Sequence, residues 1–184
     1  MKLLTLFRHA KSDWDDPGLA DHDRPLAPRG HRDAPRMGKR LARRELVPDL
    51  LLTSTALRAR QTADYLVAAL KLAAGRVRKE RGVYLASPGE LLRILAELDD
   101  GLEHVLLVGH NPGLTELANR LLPSLKLDNL PTAGCVAVDC DMAHWRDIDS
   151  ARLRLRFYDF PKKPGADQAE SELRPLRSRT SQKQ

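Results

Sequence analysis

The sequence predicts an α/β fold, a three-layer sandwich whose mostly parallel central sheet is flanked by helices. Three observations lead there. Apolar runs within 3–7, 49–54 and 104–110 are continuous, without the alternation of a half-exposed strand, as in strands buried on both faces. Segments with a helical apolar period lie between them, so strand and helix alternate along the chain. At 184 residues and 42% hydrophobic, the chain can fill one domain with a substantial core.

The elements follow in order. "LLTLF" (3–7) is the first strand. A helix is expected over 29–45, with Ala34, Met37 and Leu41 on one face and Pro35 marking a late start or a kink. "DLLLTS" (49–54) is a second buried strand, and "ALRARQTADYLVAAL" (56–70) places Ala59, Ala63, Leu66, Val67 and Leu70 on one helical stripe. A third strand falls within 76–81. "SPGELLRILAEL" (87–98) opens with a capping box, Ser87 and Glu90, and has Pro88 at the first helical position. "HVLLVGH" (104–110) is the next strand. Asn111 is expected to cap the helix of "NPGLTELANRLL", which buries Leu114, Leu117, Ala118, Leu121 and Leu122. "GCVAVDC" (134–140) and "RLRLRFYD" (152–159) alternate like strands joined through a turn around Trp145. Cys135 and Cys140, five apart in a strand, point to opposite faces, which argues against a disulfide and fits a reducing compartment.

The domain is expected over residues 1–160. Of the formal charge of +6, the segment 161–184 carries +3: Lys162, Lys163, Arg174, Arg177, Arg179 and Lys183 against Asp167, Glu170 and Glu172. That segment is polar and punctuated by Ser and Pro, and is expected to be a disordered basic tail. The rest is only mildly basic, with few aromatics among its cations, so nucleic acid is not the expected partner. No run reaches the roughly 18 apolar residues of a membrane span, and the first residues are not expected to act as a secretory leader. A cytoplasmic protein is expected.

Three strand ends share a pattern. The first ends in Arg8-His9, the second leads into "TSTALR" with Arg58 in the first turn of its helix, and the third ends in Gly109-His110-Asn111. In a parallel sheet these ends lie along one edge, where α/β folds bind ligands. Two guanidiniums and two imidazoles would then converge beside helix N-termini, which favour anions. The arginine fork suits phosphate, and the mutual repulsion of such cations calls for a bound dianion. No carboxylate or histidine cluster has metal-ligand spacing, so neither metal nor cofactor is expected.

"RHAKSDW", "DRPLAPRG", "STALRARQTA" and "VGHNPG", in this order, resemble the histidine phosphatase superfamily, the phosphoglycerate mutase-like family. Within it the chain is similar to the small bacterial branch of phosphohistidine phosphatases known as SixA. The resemblance spans about residues 2–159. It implies that His9 is a nucleophile forming a transient phosphohistidine, with Arg8, Arg58 and His110 holding the phosphoryl group. Nearby arginines should keep His9 unprotonated, while a protonated His110 adds to the positive charge. Ala10 stands where many members have glycine, so its methyl could crowd the phosphate. Asn111 stands where acid-phosphatase members have a general-acid aspartate. Mutase-like members use a glutamate between the second arginine and the second histidine, which by the resemblance nominates Glu80 as the general acid, with a surface role between Lys79 and Arg81 as the alternative.

Lys11 and Ser12 are placed at the mouth of the site or in an exposed loop. Trp14 is expected to pack under that loop rather than stack on a substrate, and His22, His31, His104 and His144 to be surface or turn residues. The expected activity is dephosphorylation of phosphohistidine on a protein, because an imidazole leaves without a strong enzyme acid and an alkoxide does not. Hydrolysis of small phosphate esters or anhydrides is the alternative within catalysis, and a non-catalytic phosphoprotein-binding module the alternative outside it.

Overall fold

The computed structural model describes residues 1–163, and the expected disordered tail lies outside them from residue 164 on. Residues 161–163 close a turn after the last strand, with the Lys163 amide donating to the Phe160 carbonyl at 3.0 Å.

Among the described residues six strands form one sheet: β1 (Lys2–Arg8), β2 (Leu50–Ser54), β3 (Val77–Glu80), β4 (His104–Gly109), β5 (Cys135–Asp141) and β6 (Arg152–Asp159). Their order is β3-β2-β4-β1-β5-β6. The pairings β1–β4, β2–β4 and β2–β3 are parallel, whereas β5 is antiparallel to both its neighbours. The sheet is therefore mostly parallel, as expected, and β5 runs in reverse because the segment 122–134 before it returns the chain to the edge where β1 ends.

The continuous apolar composition of β1, β2 and β4 reflects burial on both sides. Phe7, Leu51, Leu106 and Val108 face α1 (Pro28–Arg43) and α2 (Leu57–Leu70), joining Met37, Leu41, Ala63 and Leu66. Leu4, Leu6, Leu52 and Leu107 face α3 (Pro88–Ala96) and α4 (Gly113–Leu121), joining Leu91, Leu95, Leu114 and Leu117. Cys135 belongs to the first of these cores and Cys140 to the second, and both thiols are free. The α3 capping box forms as read, with Pro88 in its first turn.

Three local expectations change. α1 starts at Pro28 and continues through Pro35, so there is no late start; the missing Pro35 N–H removes one bond from an otherwise supported helix. Asn111 does not cap α4, which begins at Gly113 after a cis Asn111–Pro112 peptide. His104 is not at the surface. It opens β4 at 8% exposure, with its Nε2 3.0 Å from the Thr5 hydroxyl.

The register brings the expected strand ends together. Arg8 pairs with Gly109, Ser54 with Glu80, and Phe7 with Cys135, so the loops after β1, β2 and β4 and before β5 share one edge. Two glycines permit close backbone approaches at that edge. A Cβ on Gly30 would lie 2.3 Å from the Lys11 carbonyl, and one on Gly113 would lie 1.9 Å from that of Ala86. The helices α1 and α4 can thus abut the loops that carry the site.

Candidate active site

His9 follows the last residue of β1 and is buried, at 7% exposure. Its Nδ1 lies 2.7 Å from the Ala10 carbonyl, which can only accept, so Nδ1 carries the proton and Nε2 the lone pair. The Ala10 amide donates to the Thr62 hydroxyl at 3.0 Å, and that hydroxyl donates to the Arg58 carbonyl at 2.8 Å. Thr62, one turn along α2 from Arg58, therefore ties the His9 loop to the helix that carries the arginine. The Ala10 methyl sits in the core on the α1–α2 side and not in the groove, which removes the expected crowding.

Arg58, in the first turn of α2, links the other groups. Its Nε donates to His9 Nε2 at 3.3 Å and a terminal nitrogen donates to His110 Nδ1 at 3.4 Å. Since His110 Nδ1 accepts, its proton is on Nε2 and is donated to the Ser54 hydroxyl at 2.8 Å. The two rings stand 4.9 Å apart at 58°. Arg8 donates to the Asn129 side chain at 3.2 Å and the Leu130 carbonyl at 2.7 Å. Asn111 donates to the same two oxygens, at 2.8 and 3.0 Å. Its role is to hold the loop before β5 against Arg8. The four residues expected from the strand ends thus meet in one groove of about 300 Å³.

Both imidazoles are neutral. The His9 pKa is lowered to about 3, first by burial and then by the charges of Arg58, Arg8 and Arg24, against the opposing bond to Ala10. Burial, His9 and Arg58 likewise lower His110 to about 3. The expected protonated His110 is therefore corrected: positive charge comes from Arg8, Lys11, Arg24 and Arg58 along the groove, opposed there by Asp21.

Sequence reasoning assigned no role to the loop residues over this edge. Asp21 faces Arg58 and Arg24 at 2.9 and 2.8 Å and accepts from the Tyr84 hydroxyl at 2.7 Å. Its partial burial works against ionisation, but the bonds from Tyr84 and Arg58 prevail and bring its pKa down to about 2. Arg58 also donates to the Asp21 backbone carbonyl. Tyr84 meets the His110 ring edge-on at 5.5 Å, and His22, in the turn Asp21–Asp23, bonds the Thr55 hydroxyl at 2.9 Å. "DRPL" was the signal available for this loop, but nothing local says that it folds back over β2.

Lys11 and Ser12 line the groove. Trp14 does too, at 67% exposure, instead of packing under its loop. Glu80 does not join the site: its carboxylate accepts the Gly82 amide at 3.1 Å, capping the turn after β3, and it is absent from the groove lining. Among the described residues no group of three or more His, Cys, Asp or Glu is placed to hold a metal.

The buried histidines have a consequence for stability. His9, His110 and also His104, lowered to about 4 by burial, have folded pKa values below the ordinary 6.5. The unfolded chain binds protons there first, so stability is complete above pH 6.5 and falls as pH drops towards 4. The slope approaches roughly 1.4 kcal/mol per pH unit for each histidine. Urea midpoints should decline steeply over this range, and His104→Gln should flatten the decline. A flat wild-type profile would contradict three neutral imidazoles.

Comparison with known proteins bears on the family and the fold. The family model of the histidine phosphatase superfamily (branch 1) matches residues 4–81. An uncharacterized protein of Mycobacterium tuberculosis is 37% identical over 164 residues, covering 84% of this chain and 99% of its own. A structure described as a candidate phosphohistidine phosphatase SixA from Nakamurella multipartitia superimposes with a TM-score of 0.76 at 28% identity, covering 88% of this chain and 97% of that one. A mycobacterial glucosyl-3-phosphoglycerate phosphatase shares the fold, with a TM-score of 0.63 at 21% identity over 86% of this chain and 98% of its own. With its strand-end histidines and arginines on one sheet edge, this chain belongs to the histidine phosphatase superfamily and to its SixA-like branch.

Proposed function

We propose that this phosphatase removes the phosphoryl group from phosphohistidine on a protein, with His9 as its nucleophile. One observation carries the reading: the lone pair of His9 Nε2, fixed by the Ala10 carbonyl, at the floor of a cation-lined groove. In this mechanism Nε2 attacks phosphorus and the bond from phosphorus to the substrate nitrogen breaks. The substrate imidazole, protonated on its other nitrogen, leaves as a neutral ring. Water then attacks phosphorylated His9, both its protons depart on inorganic phosphate, and Nε2 recovers its lone pair. Arg8 and Arg58 neutralise the equatorial oxygens, which is most of what phosphoryl transfer asks of a protein. His110 contributes as a neutral hydrogen-bonding group.

The substrate class is supported by the state of the acids. Glu80 is engaged away from the groove, and Asp21 is held ionised by Tyr84 and Arg58. Neither is placed to protonate a basic alkoxide, whereas a phosphoramidate has no such need. The groove is also large enough for a small phosphorylated molecule, which keeps phosphate esters and anhydrides as the second reading. Among the described residues no helix is long and apolar enough to cross a membrane. A cytoplasmic location and a phosphorylated protein partner belong to this proposal.

Rates should fall steeply from phosphoramidate and aryl phosphate to alkyl phosphate, and Glu80→Gln should change phosphohistidine turnover by only a few-fold. Vanadate should inhibit at lower concentration than phosphate, since its five-coordinate form mimics the in-line transition state. Fast alkyl-ester hydrolysis that collapses by about 10²–10⁴ in Glu80→Gln would identify Glu80 as a general acid and overturn the preference for phosphohistidine. Equal inhibition by the two anions without turnover would indicate a binding module.

A further inference from the structure

In-line displacement from the groove floor directs the leaving group outward. His9 is buried, so a group attacked by its Nε2 departs on the opposite side, toward the open mouth. Two large apolar side chains stand there, Trp14 at 67% and Leu85 at 55% exposure. Burial of apolar surface does not explain either position.

Both are nevertheless held in place. The Arg24 guanidinium lies 3.3 Å from the centroid of the Trp14 ring. Arg24 is itself buried, at 7% exposure, and bonded to Asp21 and to the Asp13 carbonyl. One indole face is therefore fixed on an anchored cation, and the exposure belongs to the other face and the edges. Leu85 has a left-handed backbone, with φ of 52°, which is strained for a leucine and persists only where its surroundings impose it. Next to it, the Ala86 carbonyl is met so closely by α4 that only Gly113 fits opposite.

We propose that Trp14 and Leu85 form an apolar rim that selects phosphoryl compounds whose leaving group is a planar ring, an N-phosphorylated imidazole or an aryl phosphate. The inference rests on the proposed hydrolysis at His9 and adds the part of the substrate recognised beyond the phosphoryl group. The ring stacks on the free indole face with Leu85 at its edge. Small anhydrides, with nothing planar to place there, gain nothing from the rim.

The test compares wild type, Trp14→Ala, Trp14→Phe and Leu85→Asn, the last because asparagine tolerates the left-handed backbone. Trp14→Ala should lower kcat/KM for 1-naphthyl phosphate about tenfold, mainly through KM, while acetyl phosphate hydrolysis stays within about twofold. Trp14→Phe should restore most of the loss, and Leu85→Asn should show a smaller loss with the same selectivity. Equal losses on both substrates would assign Trp14 to holding Arg24, and no loss on either would remove the rim from recognition; both overturn the proposal. Free phosphohistidine and a phosphohistidine peptide should suffer alike, whereas a loss confined to the peptide would mean a contact with peptide backbone and would also overturn it. Failure of the underlying reading is distinct: wild type would then hydrolyse neither acetyl phosphate nor naphthyl phosphate.

Discussion

His9→Ala is expected to lower turnover by about a thousand-fold or more while inorganic phosphate and vanadate still bind. The nucleophile is the group removed, and the cations that hold the anion, Arg8 and Arg58, remain in the groove. Binding should survive because Arg8 is anchored independently of His9, by Asn129 and Leu130. Calorimetric titration with vanadate, beside single-turnover assays with an aryl phosphate, separates binding from chemistry. Quenched wild-type reactions should contain an acid-labile, alkali-stable phosphoenzyme, and the variant should contain none. Near-normal turnover in His9→Ala would remove this imidazole from the mechanism.

Arg58→Ala is expected to reduce kcat/KM by about 10³, with KM raised and kcat lowered together. This side chain is 2% exposed and reaches His9, His110 and Asp21 at once. Its loss removes a charge from the phosphate before and during transfer, and leaves Asp21 ionised by Tyr84 and Arg24 beside the incoming dianion. Arg58→Lys should recover little, because an ammonium is a point charge and cannot span two imidazoles and a carboxylate as the planar fork does. The His9 pKa should rise only in part, since burial contributes more to its depression than Arg58 does. An effect confined to KM would instead make Arg58 a binding group with no part in the transition state.

Much of this site was legible in one dimension. The runs 3–7, 49–54 and 104–110 are apolar without alternation because their strands are covered on both faces, and that identifies a parallel sheet without coordinates. In such a sheet the C-terminal strand ends share an edge, so Arg8, His9, Arg58 and His110 could be grouped from their places just after strands. Their types then pointed to an anion. The antiparallel insertion of β5 beside β1 was not legible, since alternation shows that a strand exists but not which neighbour it pairs with.

Asp21, Trp14, Arg24, Tyr84 and Leu85 illustrate the remainder. They lie in segments without periodicity, and their positions over the groove come from long-range contacts such as Tyr84 to Asp21 and the Leu26 amide to Gln61. Glu80 was nominated by residue type and position along the chain, and the structure commits its carboxylate to a local turn. Protonation divided in the same way. Arginines near His9 were visible in the sequence, but burial, the larger cause of neutral His9 and His110, depends on what covers a side chain. The strand–helix order and the sheet edge where the histidines and arginines meet could be read along the chain, because both follow from local hydrophobic period and chain direction. Tertiary structure alone decided the charge state of His110, the engagement of Asp21 and the exposure of Trp14, because desolvation and loop packing are properties of the folded surroundings.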